Sequence, residues 1–466
     1  MTTPVAGQLG ESQELQTPLF CDELYQISLL PPVVAVENAL LIVKSKSLRT
    51  RFDDLHRTSR DIVLDVTPFA EGGGEPRVLG EGQHAEVFWF RVGPRSLVAY
   101  KSTVLFEDEK WDAQTMHELV IESRLFEALT RYFVLPSLDV SDNDTPSCPN
   151  FVALLRTDFS DRVFRRHTDN RVRIEACEHH VTSMFLEVCQ PRNLRSLTDT
   201  HVGPAHEDRA KQMAASIAGQ LLIAILAMAS IGVVHNDLRF TNILLLSHDT
   251  PEEGLLYCIP GEGDQVDDVY MRLPGGKGIP LLVVSDFGCS CVVNWLHDPR
   301  YEPPSLATPE SLAMLYYAKS AEGVVRKNFT RLSLTSHDEV GFYRPLRFTK
   351  INHFERDTAT LFTTFEHMGK NESDIRRWLV HLGKIGTAVI DELTRTRPRC
   401  YPELLITVLN LLSSCDYLSK CIVRQQPQQL QSAWRLPTLA QGAAMNSALL
   451  EKLNEPRAVG NLFNLF

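Results

Sequence analysis

The chain has 466 residues, 44% hydrophobic and 23% charged, with 25 glycines and 26 prolines, a balance that excludes wholesale disorder and fibrous repeats. Lys and Arg number 47 against 58 Asp and Glu, a net charge of −11; that sign is wrong for a surface that grips phosphate backbones, so no nucleic-acid partner is expected. Ten scattered cysteines without a CxxC pair point to reduced, intracellular thiols rather than a disulfide framework or a zinc site.

Residues 1–20 are rich in Thr, Gln, Gly and Ser, and Met1–Gln16 carries no Lys or Arg ahead of an apolar run. A loose tail is expected there, with no signal peptide, and hence a cytoplasmic or nuclear location. Residues 21–75 form an extension to which no chemistry attaches, although Val33–Lys46 and Leu48–Leu55 read as helical. From Leu79 to about Glu187, short β-rich runs alternate with one helix, and after Leu194 the pattern is mostly helical. Sheet first and helices later suggests an α+β chain with two lobes.

Ala214–Val234 is apolar and about as long as the ~20 residues that cross a bilayer. Gln220 and Gly232 interrupt it and no basic or aromatic anchors flank it, so a buried core helix is expected and no membrane span. Two stretches read as surface insertions: basic Arg162–Arg173, and acidic, glycine-rich Ser247–Gly278, expected to be a solvated loop. Cys177 with His179 and His180 lacks a fourth ligand and reads as hairpin surface.

The chemistry-bearing residues follow one another along the chain. Gly80 and Gly82 form a turn between two strand-like runs, where bare backbone can approach a polyphosphate, and Val87 offers an apolar face to a base. Lys101 ends the apolar run Leu97-Val98-Ala99-Tyr100 and needs a negative partner if buried. In the helical stretch Thr115–Leu129, Glu122 shares its face with Leu125, Phe126 and Leu129. Glu122 is therefore the expected counter-ion, with Glu118 one turn earlier as the alternative. After the apolar helix, Asp237 and Asn242 stand five residues apart ahead of Ile243-Leu244-Leu245-Leu246. This places a proton-accepting carboxylate and a metal-holding amide oxygen on one loop. Leu281-Leu282-Val283-Val284 then leads to Asp286, a second metal-holding acid, with Gly288 two residues on.

In order, Gly80-x-Gly82-x-x-Ala85-x-Val87, Val98-Ala99-x-Lys101, Glu122, His235-x-Asp237-x-x-x-x-Asn242 and Asp286-Phe287-Gly288 resemble the protein-kinase signature set. The resemblance spans roughly residues 75–405. Met184–Cys189 resembles the hinge whose backbone, here at Glu187 and Cys189, receives adenine. Asp357–Met368 resembles the central helix of the larger lobe, with Phe362 where the family usually has Gly, and Arg397-Pro398 with Glu403 resembles a late motif of that lobe. The resemblance implies a bilobal kinase fold with a small β-rich N-lobe and hinge at 76–189. A larger, mainly helical C-lobe would span 190–405, with insertions near 247–278 and 311–350, and a helical extension would follow at 406–466. It implies ATP and Mg²⁺ as cofactors. Gly80, Gly82, Val87 and Ala99 would line the nucleotide, Lys101 held by Glu122 would meet the α/β-phosphates, and Asn242 and Asp286 would hold the metal. Asp237 would be the catalytic base, and Arg239 would meet charge on the transferred group. The basic residue two after Asp237 resembles serine/threonine rather than tyrosine kinases, so a protein hydroxyl is the expected acceptor.

Asn236 stands where the family has Arg, which removes the usual basic pocket for a phosphorylated activation loop. Thr308-Pro309-Glu310 and Tyr343-Arg344-Pro345-Leu346 compete as the Ala-Pro-Glu equivalent. Two other functions stay open: a choline- or aminoglycoside-like small-molecule kinase, and a nucleotide-binding pseudokinase scaffold. The resemblance implies a protein substrate as partner and leaves room for a regulatory one.

Overall fold

Strands rich in Val, Phe and Leu build the first sheet. The computed structural model describes residues 51, 55, 78–81, 85–92, 96–106, 122–134, 145–166, 172–189, 193–200, 206–261, 267–293, 353–371, 376–423 and 433–454. β1 (Val78–Glu81), β2 (Ala85–Val92), β3 (Ser96–Phe106), β4 (Leu154–Arg166) and β5 (Val172–Glu187) form a five-stranded sheet in that order, with β3 also paired to β5. Val87 lies opposite Lys101 and Trp89 opposite Ala99, while Gly80 lies opposite Val87 and Met184 and Leu186 oppose Lys101 and Ala99. Because side chains alternate across a strand, Val87, Ala99, Lys101, Met184 and Leu186 share one face. Phe88, Tyr100, Phe185 and Glu187 belong to the other, where the Tyr100 and Phe185 rings lie 4.9 Å apart.

The basic Arg162–Arg173 stretch is not a simple loop. β4 and β5 continue through it as far as the Arg165–Arg173 and Arg166–Val172 pairs. Val163, Phe164, Val172 and Ile174 are residue types that favour strands, which offsets the charge of the stretch. Cys177, His179 and His180 lie on β5, and among the described residues no three His, Cys, Asp or Glu gather as a metal site.

Most of the described residues after 190 are helical. Residues 122–129 form α1, which loosens into a π turn over Thr130–Val134, followed by α2 (Leu194–Thr200), α3 (Glu207–Ser230), α4 (His353–Asn371), α5 (Arg377–Thr396), α6 (Tyr401–Ser414) and α7 (Leu439–Asn454). α3 is long and apolar enough to cross a bilayer, yet its most apolar window is wholly buried in the structure. Its one mid-helix amide explains why this is a core helix. Gln220 Nε2 donates to the Pro280 carbonyl at 3.0 Å, and Gln220 Oε1 accepts from the Leu282 amide at 2.9 Å and from Asn150 Nδ2 at 3.1 Å. α4 and α5 cross closely because glycines meet there: a Cβ on Gly369 would lie 2.5 Å from the Gly383 Cα.

The acidic Ser247–Gly278 stretch, expected as a solvated loop, is instead structured over its described residues. β7 (Ile243–Asp249) enters it, and β8 (Leu255–Ile259) and β9 (Val269–Leu273) pair antiparallel inside it. All five residues of β8 are buried. The net acidity conceals two apolar runs, because Glu252, Glu253 and Asp267 fall outside the strands and Gly254, at φ +80°, starts the first. Tyr257 reaches the core, its hydroxyl donating to Asn150 Oδ1 at 2.6 Å. β12 (Ile422–Val423) and β13 (Trp434–Arg435) complete a four-stranded sheet in the order β12-β9-β8-β13. The region after residue 405, expected to be helical, therefore also supplies strands. The described residues form a mixed α+β structure of helices and small sheets.

Gln220→Met keeps volume but leaves the Leu282 amide without its Gln220 acceptor. It should cost about 1–3 kcal/mol, read as a lower urea midpoint at unchanged m-value; an unchanged midpoint would contradict the network.

Candidate functional site

Lys101 sits mid-sheet on β3 with its side chain 11% exposed. A buried ammonium requires compensation, and it has two partners: Nζ lies 2.6 Å from Glu122 Oε1 and 2.9 Å from Asp286 Oδ1. Burial alone would lower the Lys101 pKa, but Asp286 and Glu122 outweigh it and hold the ammonium above the usual lysine range. Burial pushes the Glu122 carboxyl up against the pull of Lys101. Asp286 is held below the usual carboxylate range, chiefly by Lys101. Of the two acids considered for this role, Glu122 makes the pair, and Glu118 lies outside the described residues.

Asp286 follows β10 (Pro280–Val284) and adopts φ +65°, a left-handed conformation that Asp tolerates better than most residues. Phe287 behind it is fully buried. Its ring stacks edge-on against Phe126 at 4.9 Å, one turn after Glu122 on α1, and lies 5.0 Å from the His235 ring. This aromatic stack ties α1, the Asp286 turn and the His235 loop together.

His235 through Asn242 form the second half. β6 (Val233–Val234) pairs with β11 (Cys291–Val292) and delivers the loop. Asp357 on α4 accepts from the amides of His235 at 2.7 Å and Asn236 at 2.9 Å. Burial pushes the Asp357 carboxyl up. Asn236 takes φ +62°, and its Oδ1 accepts from Arg356 Nη1 at 2.7 Å. The residue that departs from the kinase pattern is thus suited to the backbone it adopts. His235 Nε2 lies 2.9 Å from the Ser285 carbonyl and the Ser285 amide donates to the Asn242 carbonyl at 2.9 Å, which brings Asp286 beside Asn242.

Asn242 Nδ2 donates to Asp237 Oδ2 at 3.0 Å and to the Asp237 carbonyl at 2.9 Å. That orientation leaves Asn242 Oδ1 with a 3.3 Å contact to Thr241 Oγ1. Arg239, 48% exposed, pairs with Asp237 Oδ2 at 3.2 Å. Burial raises the Asp237 pKa and Asp286 adds to it, against Arg239 and His235.

The structure therefore brings Lys101, Glu122 and Asp286 into one cluster and Asp237, Arg239 and Asn242 into another, joined through Ser285. Gly80, Val87 and Ala99 align with Lys101 across the sheet; Gly82 lies outside the described residues. Glu187 differs from the others: its side chain turns to the opposite face, where Arg51 takes it at 2.6 Å. Cys189 is buried, and burial raises its thiol pKa strongly. Sequence reading did not find Arg51 or Arg356, since neither stands in a recognisable motif. Both Ala-Pro-Glu candidates lie outside the described residues.

A metal would find two oxygen donors here, Asn242 Oδ1 and the Asp286 oxygen not engaged by Lys101. That donor set fits Mg²⁺, which keeps several waters and takes one or two carboxylates plus phosphate oxygens.

Because Asp237 has a raised pKa in the fold, its ionised form costs stability above that pKa, and the cost fades below the unfolded value of about 3.9. Asp237→Asn should therefore melt higher than wild type at pH 7, with the gap closing as pH falls toward 4. Thermal melts across pH 4–8 check this, and a variant less stable at pH 7 would contradict it. Comparison of the chain with protein-family models and with curated proteins gives no match.

Proposed function

We propose that the chain is an ATP-dependent phosphotransferase of the protein-kinase type, with a nucleotide between a small β-rich lobe and a larger helical one. The observation that carries this reading is the Lys101–Glu122–Asp286 cluster, drawn from three distant parts of the chain at 2.6 and 2.9 Å. A structural ion pair needs only one acid. A lysine shared between a helix acid and a half-exposed acid, 45% accessible at Asp286, suits a cation that will meet phosphate.

In this reading Lys101 neutralises the α/β-phosphates while Glu122 keeps its ammonium aimed across the sheet face. Val87 and Ala99 pack against the base, and the backbone at Glu187 and Cys189 bonds its edge. Asp237, with a raised pKa and a hydrogen bond from Asn242, orients the acceptor hydroxyl and accepts its proton. Arg239, bound to Asp237 in the free protein, meets the charge that develops on the transferred group. Asn242 and Asp286 would hold Mg²⁺, which when bound offsets phosphate charge. The acceptor is read as a serine or threonine of a protein, in an intracellular setting.

Full-length protein given Mg²⁺ and γ-labelled ATP should label itself or a basic carrier protein on serine or threonine. Asp237→Asn should lower the rate about 10²–10⁴-fold, with Lys101→Met also strongly impaired. Transfer to small alcohols or amines alone would favour a small-molecule kinase. Nucleotide uptake without transfer would favour a scaffold, and no uptake would overturn the reading.

A further inference from the structure

Arg51 lies far outside the motifs, in the extension before residue 76, yet it is 2% exposed. Its fork meets both Glu187 oxygens: Nε donates to Oε1 and Nη2 to Oε2, each at 2.6 Å. Nη1 also donates to the Pro149 carbonyl at 2.7 Å and Nη2 to the Phe151 carbonyl at 2.9 Å. Leu55, helical like Arg51 and one turn later, is buried beside the same core.

The segment that Arg51 grips splints the two sides of the site. On one side the Glu187 amide donates to the Ala153 carbonyl at 2.9 Å. On the other, the Val284 amide donates to the Asn150 carbonyl at 2.8 Å and the Val152 amide to the Val284 carbonyl at 3.2 Å. Val284 stands two residues before Asp286. One guanidinium thus braces the strand end at Glu187 and, through residues 149–152, the strand that delivers Asp286.

We propose that Arg51 is a positioning residue for the nucleotide site, setting the distance between the base-binding backbone after Glu187 and the acid at Asp286. The proposal rests on the nucleotide reading above. A buried ion pair gains little net stability over an apolar pair of similar volume, whereas removing one partner strands the other charge. Its value here is geometric, because a planar bidentate fork fixes both distance and angle where a lysine would fix neither.

Arg51→Lys and the paired Arg51→Met/Glu187→Leu separate positioning from folding. The double variant removes both charges together and should melt within a few degrees of wild type. Calorimetry with Mg·ADP on the full chain should show about tenfold weaker binding in both variants, and the KM for ATP should rise in step. A folded variant that binds Mg·ADP as tightly as wild type would overturn the role of Arg51 alone. Wild-type protein that takes up no Mg·ADP would overturn the nucleotide reading and this proposal with it. Hydrogen exchange on the wild-type chain needs no variant: Mg·ADP should slow exchange at 51–55 together with 187–189, and unchanged exchange at 51–55 would count against the proposal.

Discussion

A lysine ammonium placed inside a protein must be surrounded by negative charge or lose its proton. Lys101 meets that constraint with two carboxylates rather than one, and much of the described structure can be understood as the scaffold that delivers them. Glu122 comes from α1, whose apolar face packs inward beside it. Asp286 comes from the end of a buried strand and turns through a left-handed backbone to reach the same nitrogen. Phe287 then locks the arrangement, because its ring fills the space between Phe126 on α1 and His235 on the neighbouring loop.

Beneath the site lies a polar hub of a kind that specifies register in an otherwise apolar core. Asn150 bonds the Leu282 carbonyl, Gln220 and Tyr257, so the segment before β4, the long helix α3, β10 and the acidic hairpin all meet at one amide. Each partner is buried, and a slip of any element would leave donors or acceptors unmatched at about 1–3 kcal/mol each. The hub explains how a helix apolar enough for a bilayer can lie at the buried centre of the described structure. Its central glutamine is matched by strand backbone on one side and by Asn150 on the other.

The parts of the site that follow local rules were legible in the sequence. The Lys101–Glu122 pair followed from helical spacing and from the cost of an unpaired lysine, and the placing of Asp237 and Asn242 on one loop from two polar groups ahead of an apolar strand, although the hydrogen bond between them did not. What could not be read was tertiary. Nothing in the composition around Arg51 distinguishes it from a surface arginine, because its partners are 98 to 136 positions away. The acidic hairpin misled for a different reason: charge concentrated outside the strands hid the two apolar runs that make β8 and β9. The same held for the C-terminal region, where the two-residue strands β12 and β13 are too short to leave any periodic signal and exist only because the hairpin offers them edges. Asn236 was readable as a departure, but its accommodation by Arg356 and by a left-handed backbone was not.

In the proposed reading, Lys101, Glu122, Asp286, Asp237 and Asn242 converge around one nucleotide. The most direct measurement is a crystal structure of the full chain grown with Mg²⁺ and a non-hydrolysable ATP analogue. A nucleotide bound as proposed would show density for the base against Val87 and Ala99, for the phosphates at Lys101, and for a metal between Asn242 and Asp286. Well-ordered protein with no nucleotide at that face, or with the analogue bound elsewhere and Lys101 still paired to Glu122 and Asp286, would contradict it.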